Sequence, residues 1–126
     1  MKTQYWTELA EYDIETARAM LDTKRFLYVG FMCHQAVEKI LKAYFAKHYE
    51  EHPPKTHNLR ILAKKTNIFQ ALDENQNNLI NTLEPLNIEA RYPTDKERLL
   101  KSLTPEKCDK IISSTKEFLE WTKAKL

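Results

Sequence analysis

Glycine is almost missing from this sequence: the 126 residues include one, Gly30. Loops that cradle phosphate need several glycines where backbone must approach the ligand. A Walker loop, a dinucleotide fingerprint and a glycine-rich kinase loop are therefore excluded. Tight Asn-Gly and Asp-Gly hairpins are excluded with them, which argues against an all-β fold. Cysteine is scarce too. Cys33 and Cys108 stand 75 positions apart with no C-x-x-C spacing, so there is no disulfide framework and a reduced cytoplasmic protein is the expectation. The longest apolar run, Phe26 to Cys33, is eight residues, far short of the ~20 that a membrane span requires. Met1 to Trp6 lacks the apolar stretch of a signal peptide, so neither membrane insertion nor export is expected.

What is present is the composition of a globular chain, with 42% apolar and 30% charged residues. The length suits one domain spanning 1–126. Charge is unevenly spread. From Lys39 to Lys65, seven basic residues face two acidic ones, a local +5 that leaves −3 for the rest of a chain whose net charge is +2. Such a patch attracts phosphates, although the same lysines also suit the solvated face of a helix.

Apolar spacing predicts helices throughout. Trp6, Leu9/Ala10, Ile14, Ala17 and Met20/Leu21 form one stripe over 3–22. The segment 24–50 carries two apolar columns, Val29, Cys33, Ala36/Val37, Ile40, Tyr44 and Phe31, Leu41, Phe45, so it should be the central helix. Gly30 inside it costs ~1 kcal/mol relative to alanine, a cost that a close approach of another element would offset. Pro53-Pro54 stops this helix. Thr56 is expected to cap a short helix through Leu59 and Leu62. A further helix is expected over 73–91, kinked or restarted at Pro85, then an exposed charged loop over 94–103. Thr104-Pro105 marks the start of a last helix over 105–124. The fold expected is all-α: an antiparallel up-and-down bundle of four long helices plus one short helix.

The central helix holds an unusual stretch, His34-Gln35-Ala36-Val37-Glu38-Lys39-Ile40-Leu41-Lys42-Ala43. Residues four apart share a helical face, so His34, Glu38 and Lys42 form a column, with Gln35 and Lys39 beside it. Polar groups in the most buried helix cost free energy unless paired. Two readings follow from spacing alone: an ordinary Glu38–Lys42 surface pair with His34 half exposed, or a polar cleft.

The pattern H-Q-A-V-E-K-I-L-K-A, the T-H-N-L at 56–59, the A-R-Y-P at 90–93, and Trp6 with Ala10 and Asp13 together resemble the HEPN domain, the higher eukaryotes and prokaryotes nucleotide-binding family. The resemblance spans roughly 4–122. It implies a helical bundle, often a homodimer, frequently acting with a minimal nucleotidyltransferase partner, and in prokaryotes often as half of a toxin–antitoxin pair. Many such proteins are metal-independent ribonucleases with an R-x(4–6)-H motif, in which arginine stabilises phosphate charge and histidine moves protons. This chain departs from that pattern: no arginine, Arg91 included, is followed by histidine at that spacing. It is similar instead to the subgroup with A-R-Y-P in place of the catalytic motif, for which nucleotide or partner binding is the implied role.

The candidate binding residues are therefore His34, Gln35, Glu38, Lys39, Lys42, His57, Arg91 and Tyr92. Arg91 suits either a phosphate or the Glu38 carboxylate through its planar fork. No cofactor and no metal site is expected, since His48 and His52 lack an evident third ligand. No catalytic residue is assigned. A divergent ribonuclease using His57 or His34 with Arg91, and a structural dimer without ligand, stay open beside the binding module.

Overall fold

The computed structural model describes residues 2–49, 51–88 and 92–126. Among these residues six α-helices follow one another: α1 (Lys2–Asp22), α2 (Phe26–Tyr49), α3 (Leu59–Lys64), α4 (Glu74–Leu83), α5 (Pro93–Ser102) and α6 (Pro105–Lys123). Two 3₁₀ segments, Asn67–Ala71 and Glu84–Leu86, lie before and after α4. The result is the all-α bundle that the apolar periodicity predicts.

Helix α1 ends without a glycine. Arg25 N donates to Met20 O at 2.7 Å and Lys24 N to Leu21 O at 3.0 Å, the paired bonds of a Schellman closure. That closure needs a left-handed residue, and Lys24 supplies it at φ 61°. The chain then reverses into α2, which packs on α1, α3, α4 and α6 and so is the central helix. Its core side chains include Val29, Cys33, Val37, Ile40 and Leu41, all essentially solvent-free. Ala10 and Ala17 of α1, and Ile112 and Phe118 of α6, close on them.

Gly30 has the role expected of it. A Cβ there would lie 2.8 Å from Leu86 Cδ1 and 3.3 Å from Leu86 Cβ. The 3₁₀ turn after α4 therefore rests against bare α2 backbone.

Two local expectations need correcting and one is met in part. The short helix is capped by Asn58, whose side chain accepts from Ile61 N at 2.9 Å, while Thr56 Oγ1 accepts from Asn58 N at 3.1 Å one step earlier. The helix expected over 73–91 is regular over Glu74–Leu83 and is interrupted at Pro85 as expected, passing into 3₁₀ geometry because proline has no N–H to continue the ladder, while residues 89–91 of that span lie outside the described residues. Residues 94–103, read as a loop, fall mostly within α5. Pro93 opens this helix, Asp95 and Lys101 complement its ends, and none of its residues is fully buried. Helix α5 hides from a periodicity search because it has almost no apolar stripe. The Thr104-Pro105 start is as predicted, with Thr104 Oγ1 accepting from Lys107 N at 3.1 Å.

Candidate functional site

The His34–Glu38–Lys42 column faces inward rather than to solvent. His34 is 1%, Glu38 2% and Lys42 6% exposed, which rules out the reading of a surface ion pair beside a half-exposed histidine. Glu38 is the hub. Its Oε2 accepts from Lys42 Nζ at 3.1 Å, both its oxygens lie 3.1 Å from His57 Nδ1, and His34 Nδ1 stands 4.0 Å from Oε1. The Lys42 ammonium also lies 5.4 Å from the centre of the Trp6 ring of α1, close enough for cation–π attraction.

His57 arrives from outside α2. Pro53-Pro54 ends the helical run, and the returning loop is fixed where α3 begins. Glu84 Oε1 accepts from Leu59 N at 2.5 Å and from Arg60 N at 3.3 Å. Together with the Asn58 cap, this pins the backbone next to His57. A carboxylate only accepts hydrogen bonds, so Nδ1 must carry the proton, and in the neutral ring Nε2 is then the acceptor. The His57 side chain is 65% exposed while its Glu38 partner is 2% exposed.

A second polar group adjoins the first. Lys39 Nζ donates to Gln35 Oε1 at 3.0 Å and reaches Asp13 Oδ2 of α1 at 3.4 Å. Burial pushes the Asp13 carboxyl above the usual aspartate range, Lys39 opposes that rise, and the nearby Glu38 charge adds to it. Among the described residues each lysine thus has one carboxylate, Lys42 with Glu38 and Lys39 with Asp13.

The structure accordingly brings together His34, Glu38, Lys42 and His57, with Gln35 and Lys39 alongside on α2. Tyr92 is 77% exposed at the start of α5 and makes no hydrogen bond, ion pair or ring contact with this group among the described residues. Arg91, and with it any Arg91–Glu38 pair, lies outside the described residues. Three contributors were not singled out as site residues from the sequence: Trp6, Asp13 and Glu84. A charged residue seven positions after Trp6, on the edge of the α1 apolar stripe, was the available signal for Asp13. Glu84 left none, because its partners are backbone atoms distant in sequence.

Other candidates have local roles. His48 Nε2 meets Lys125 O at 2.9 Å, and His52 meets Lys2 Nζ at 2.8 Å. Among the described residues no group of His, Cys, Asp and Glu forms a metal site. Cys33 and Cys108 are both buried, and burial raises the Cys33 thiol to about 12. A groove of about 680 Å³ between α4 and α6 is lined by Leu79, Lys107, Lys110, Phe118 and Trp121 among others, and none of the Glu38 group lines it. No helix among the described residues is long and apolar enough to cross a membrane.

Comparison with known proteins agrees with this architecture. The crystal structure of TT1696 from Thermus thermophilus superposes with a TM-score of 0.84 at 18% identity, covering 99% of this chain and 98% of that one, which is a likeness of fold. No curated protein matches the sequence. The family model of the HEPN domain matches residues 3–125, nearly the whole chain, and the chain therefore belongs to the HEPN domain family.

Proposed function

We propose that this HEPN domain is a binding module for the phosphate of a nucleotide or RNA, with the Glu38 group as its site. One observation carries the reading: a buried carboxylate holds His57 by Nδ1 and leaves an exposed imidazole, whose Nε2 can donate to a phosphate oxygen in the doubly protonated ring. Burying Glu38, Lys42 and His34 together is costly, and apolar residues of similar volume would be neutral or stabilising there. Their burial beside an exposed histidine is the geometry that supports a use other than stability. The +5 segment from Lys39 to Lys65 supplies a field of the right sign. Within this reading the domain acts as a homodimer with a minimal nucleotidyltransferase partner, as one half of a toxin–antitoxin pair.

Calorimetric titration with ATP and GTP tests it. Heat that vanishes in His57→Ala supports the assignment, and silence up to millimolar nucleotide removes it. Light scattering at the monomer mass would remove the dimer. Co-expression with a small nucleotidyltransferase that neither binds the protein nor changes its effect on growth would remove the paired role.

A second reading has a specific observation in its favour. The Glu38–His57 contact is the arrangement by which a carboxylate fixes the tautomer of a general base. A divergent metal-independent ribonuclease using His57 would cleave total RNA in EDTA, and His57→Ala would abolish the cleavage. Intact RNA after prolonged incubation refutes it.

A further inference from the structure

We propose that the aromatic corner made by Tyr5 and Trp6 is the nucleobase-binding half of the Glu38 site, so that its ligand is a nucleoside phosphate rather than a bare phosphate. The inference rests on the phosphate reading above and extends it to residues that reading leaves unused.

The corner lies on the row of contacts already described. From His57 Nδ1 the row passes through Glu38 (3.1 Å) and Lys42 (3.1 Å) to the Trp6 ring (5.4 Å). Its two ends, His57 and the Tyr5–Trp6 pair, reach solvent, while Glu38 and Lys42 between them are buried. Tyr5 meets Trp6 edge to face, with ring centres 5.3 Å apart and an interplanar angle of 73°. Trp6 is half-buried and packed on the core, so it is a fixed wall. Tyr5 is 58% exposed, leaving aromatic surface open to solvent beside a charged group. Exposed rings adjoining a basic patch are how proteins hold bases whose phosphates they neutralise. Lys42 is held by Glu38 on one side and by the Trp6 ring on the other, so it ties the aromatic corner to the Glu38 group from beneath.

Other exposed aromatics fit less well. Tyr28 is already packed against Phe31 of its own helix. Tyr12 is 70% exposed on the same face of α1 as Tyr5 but stands two turns further along, and no contact among the described residues ties it to the Glu38 group. On α1 the corner is bounded by Glu8, which Gln4 holds at 2.9 Å, so a phosphate is kept on the His57 side.

The test uses Trp121→Phe, which leaves Trp6 as the one tryptophan of the chain's two. Matched titrations with AMP, ribose 5-phosphate and a short oligoadenylate separate base from phosphate, and free nucleotide from RNA. Expected are a change in Trp6 emission with AMP or oligoadenylate, and affinity for at least one of them roughly tenfold or more above that for ribose 5-phosphate. Tyr5→Ala should remove most of that advantage and leave ribose 5-phosphate binding unchanged. Trp6→Phe, which keeps a ring, should weaken it less. Equal affinity for AMP, oligoadenylate and ribose 5-phosphate with unmoved Trp6 emission overturns the base site while the phosphate reading stands. Failure of all three to bind overturns the phosphate reading, and this inference with it.

Discussion

Replacing Glu38 by glutamine keeps the shape of the hub and removes its charge. Lys42 then stays 8% exposed at its side chain with no carboxylate at 3.1 Å. Removing one partner of a buried ion pair costs about 3–5 kcal/mol. The lower end applies, because Lys42 keeps its contact with the Trp6 ring at 5.4 Å and has a stem long enough to move its ammonium toward water. An unfolding entropy of ~2.1 cal/mol/K per residue over 126 residues gives about 0.26 kcal/mol/K. A loss of ~3 kcal/mol therefore lowers Tm by about 11 °C. Thermal unfolding followed by circular dichroism at neutral pH reads this directly. The partner test is Lys42→Met in the glutamine background. With both charges gone no ion is stranded, and the double variant should regain more than half of the lost stability. A Glu38→Gln protein that melts within ~2 °C of the parent, or a double variant whose losses simply add, would refute the claim that Glu38 is a buried counter-ion.

Further outcomes follow from other contacts. Gly30→Ala pushes a methyl to 2.8 Å from Leu86 Cδ1, and the overpacking outweighs the gain in helix propensity, for a net loss of about 1 kcal/mol in denaturant unfolding. Adding Leu86→Ala should soften the effect of Gly30→Ala itself. Lys24→Gly relieves the left-handed φ of 61° and should stabilise by up to about 1 kcal/mol, with an unchanged or lower Tm counting against the Schellman closure. Burial lifts the Asp13 carboxyl above its ordinary 3.8, so the native state holds that proton more tightly than the unfolded chain does. The stability this contributes is full below pH 3.8 and is lost as pH rises through the lifted native value. Asp13→Asn cannot lose it, so urea titrations across that range should show the variant gaining on the parent as pH rises, and the opposite trend refutes the burial argument. With the Cys33 thiol raised to about 12 and the side chain buried, a thiol reagent at pH 8 should label it only after the protein is unfolded.

The helices were legible where apolar residues recur with helical spacing, as in α1, α2 and α6. Their ends were legible where proline or a capping hydroxyl stands, as at Pro53 and Thr104. Helix α5 was not, because a helix with no fully buried residue leaves no stripe to read. The column His34–Glu38–Lys42 could be drawn from spacing, but not its direction. Whether those side chains faced water or protein depended on α1 laying Trp6 against Lys42 and Asp13 against the neighbouring Lys39, a tertiary fact. The Glu84 contact was invisible for a related reason: a side chain that bonds backbone 25 residues away imposes no pattern on either segment.

The short turn at Glu84–Leu86 holds at both ends. Leu86 fills the notch left by Gly30, while Glu84 carries the first amides of α3 and so the strand of loop that presents His57. The turn is in effect a fulcrum between the middle of α2 and the imidazole. A methyl added at Gly30, or a rotation of α4, is therefore transmitted to the His57–Glu38 distance, and substitutions that touch no charged group can detune the site.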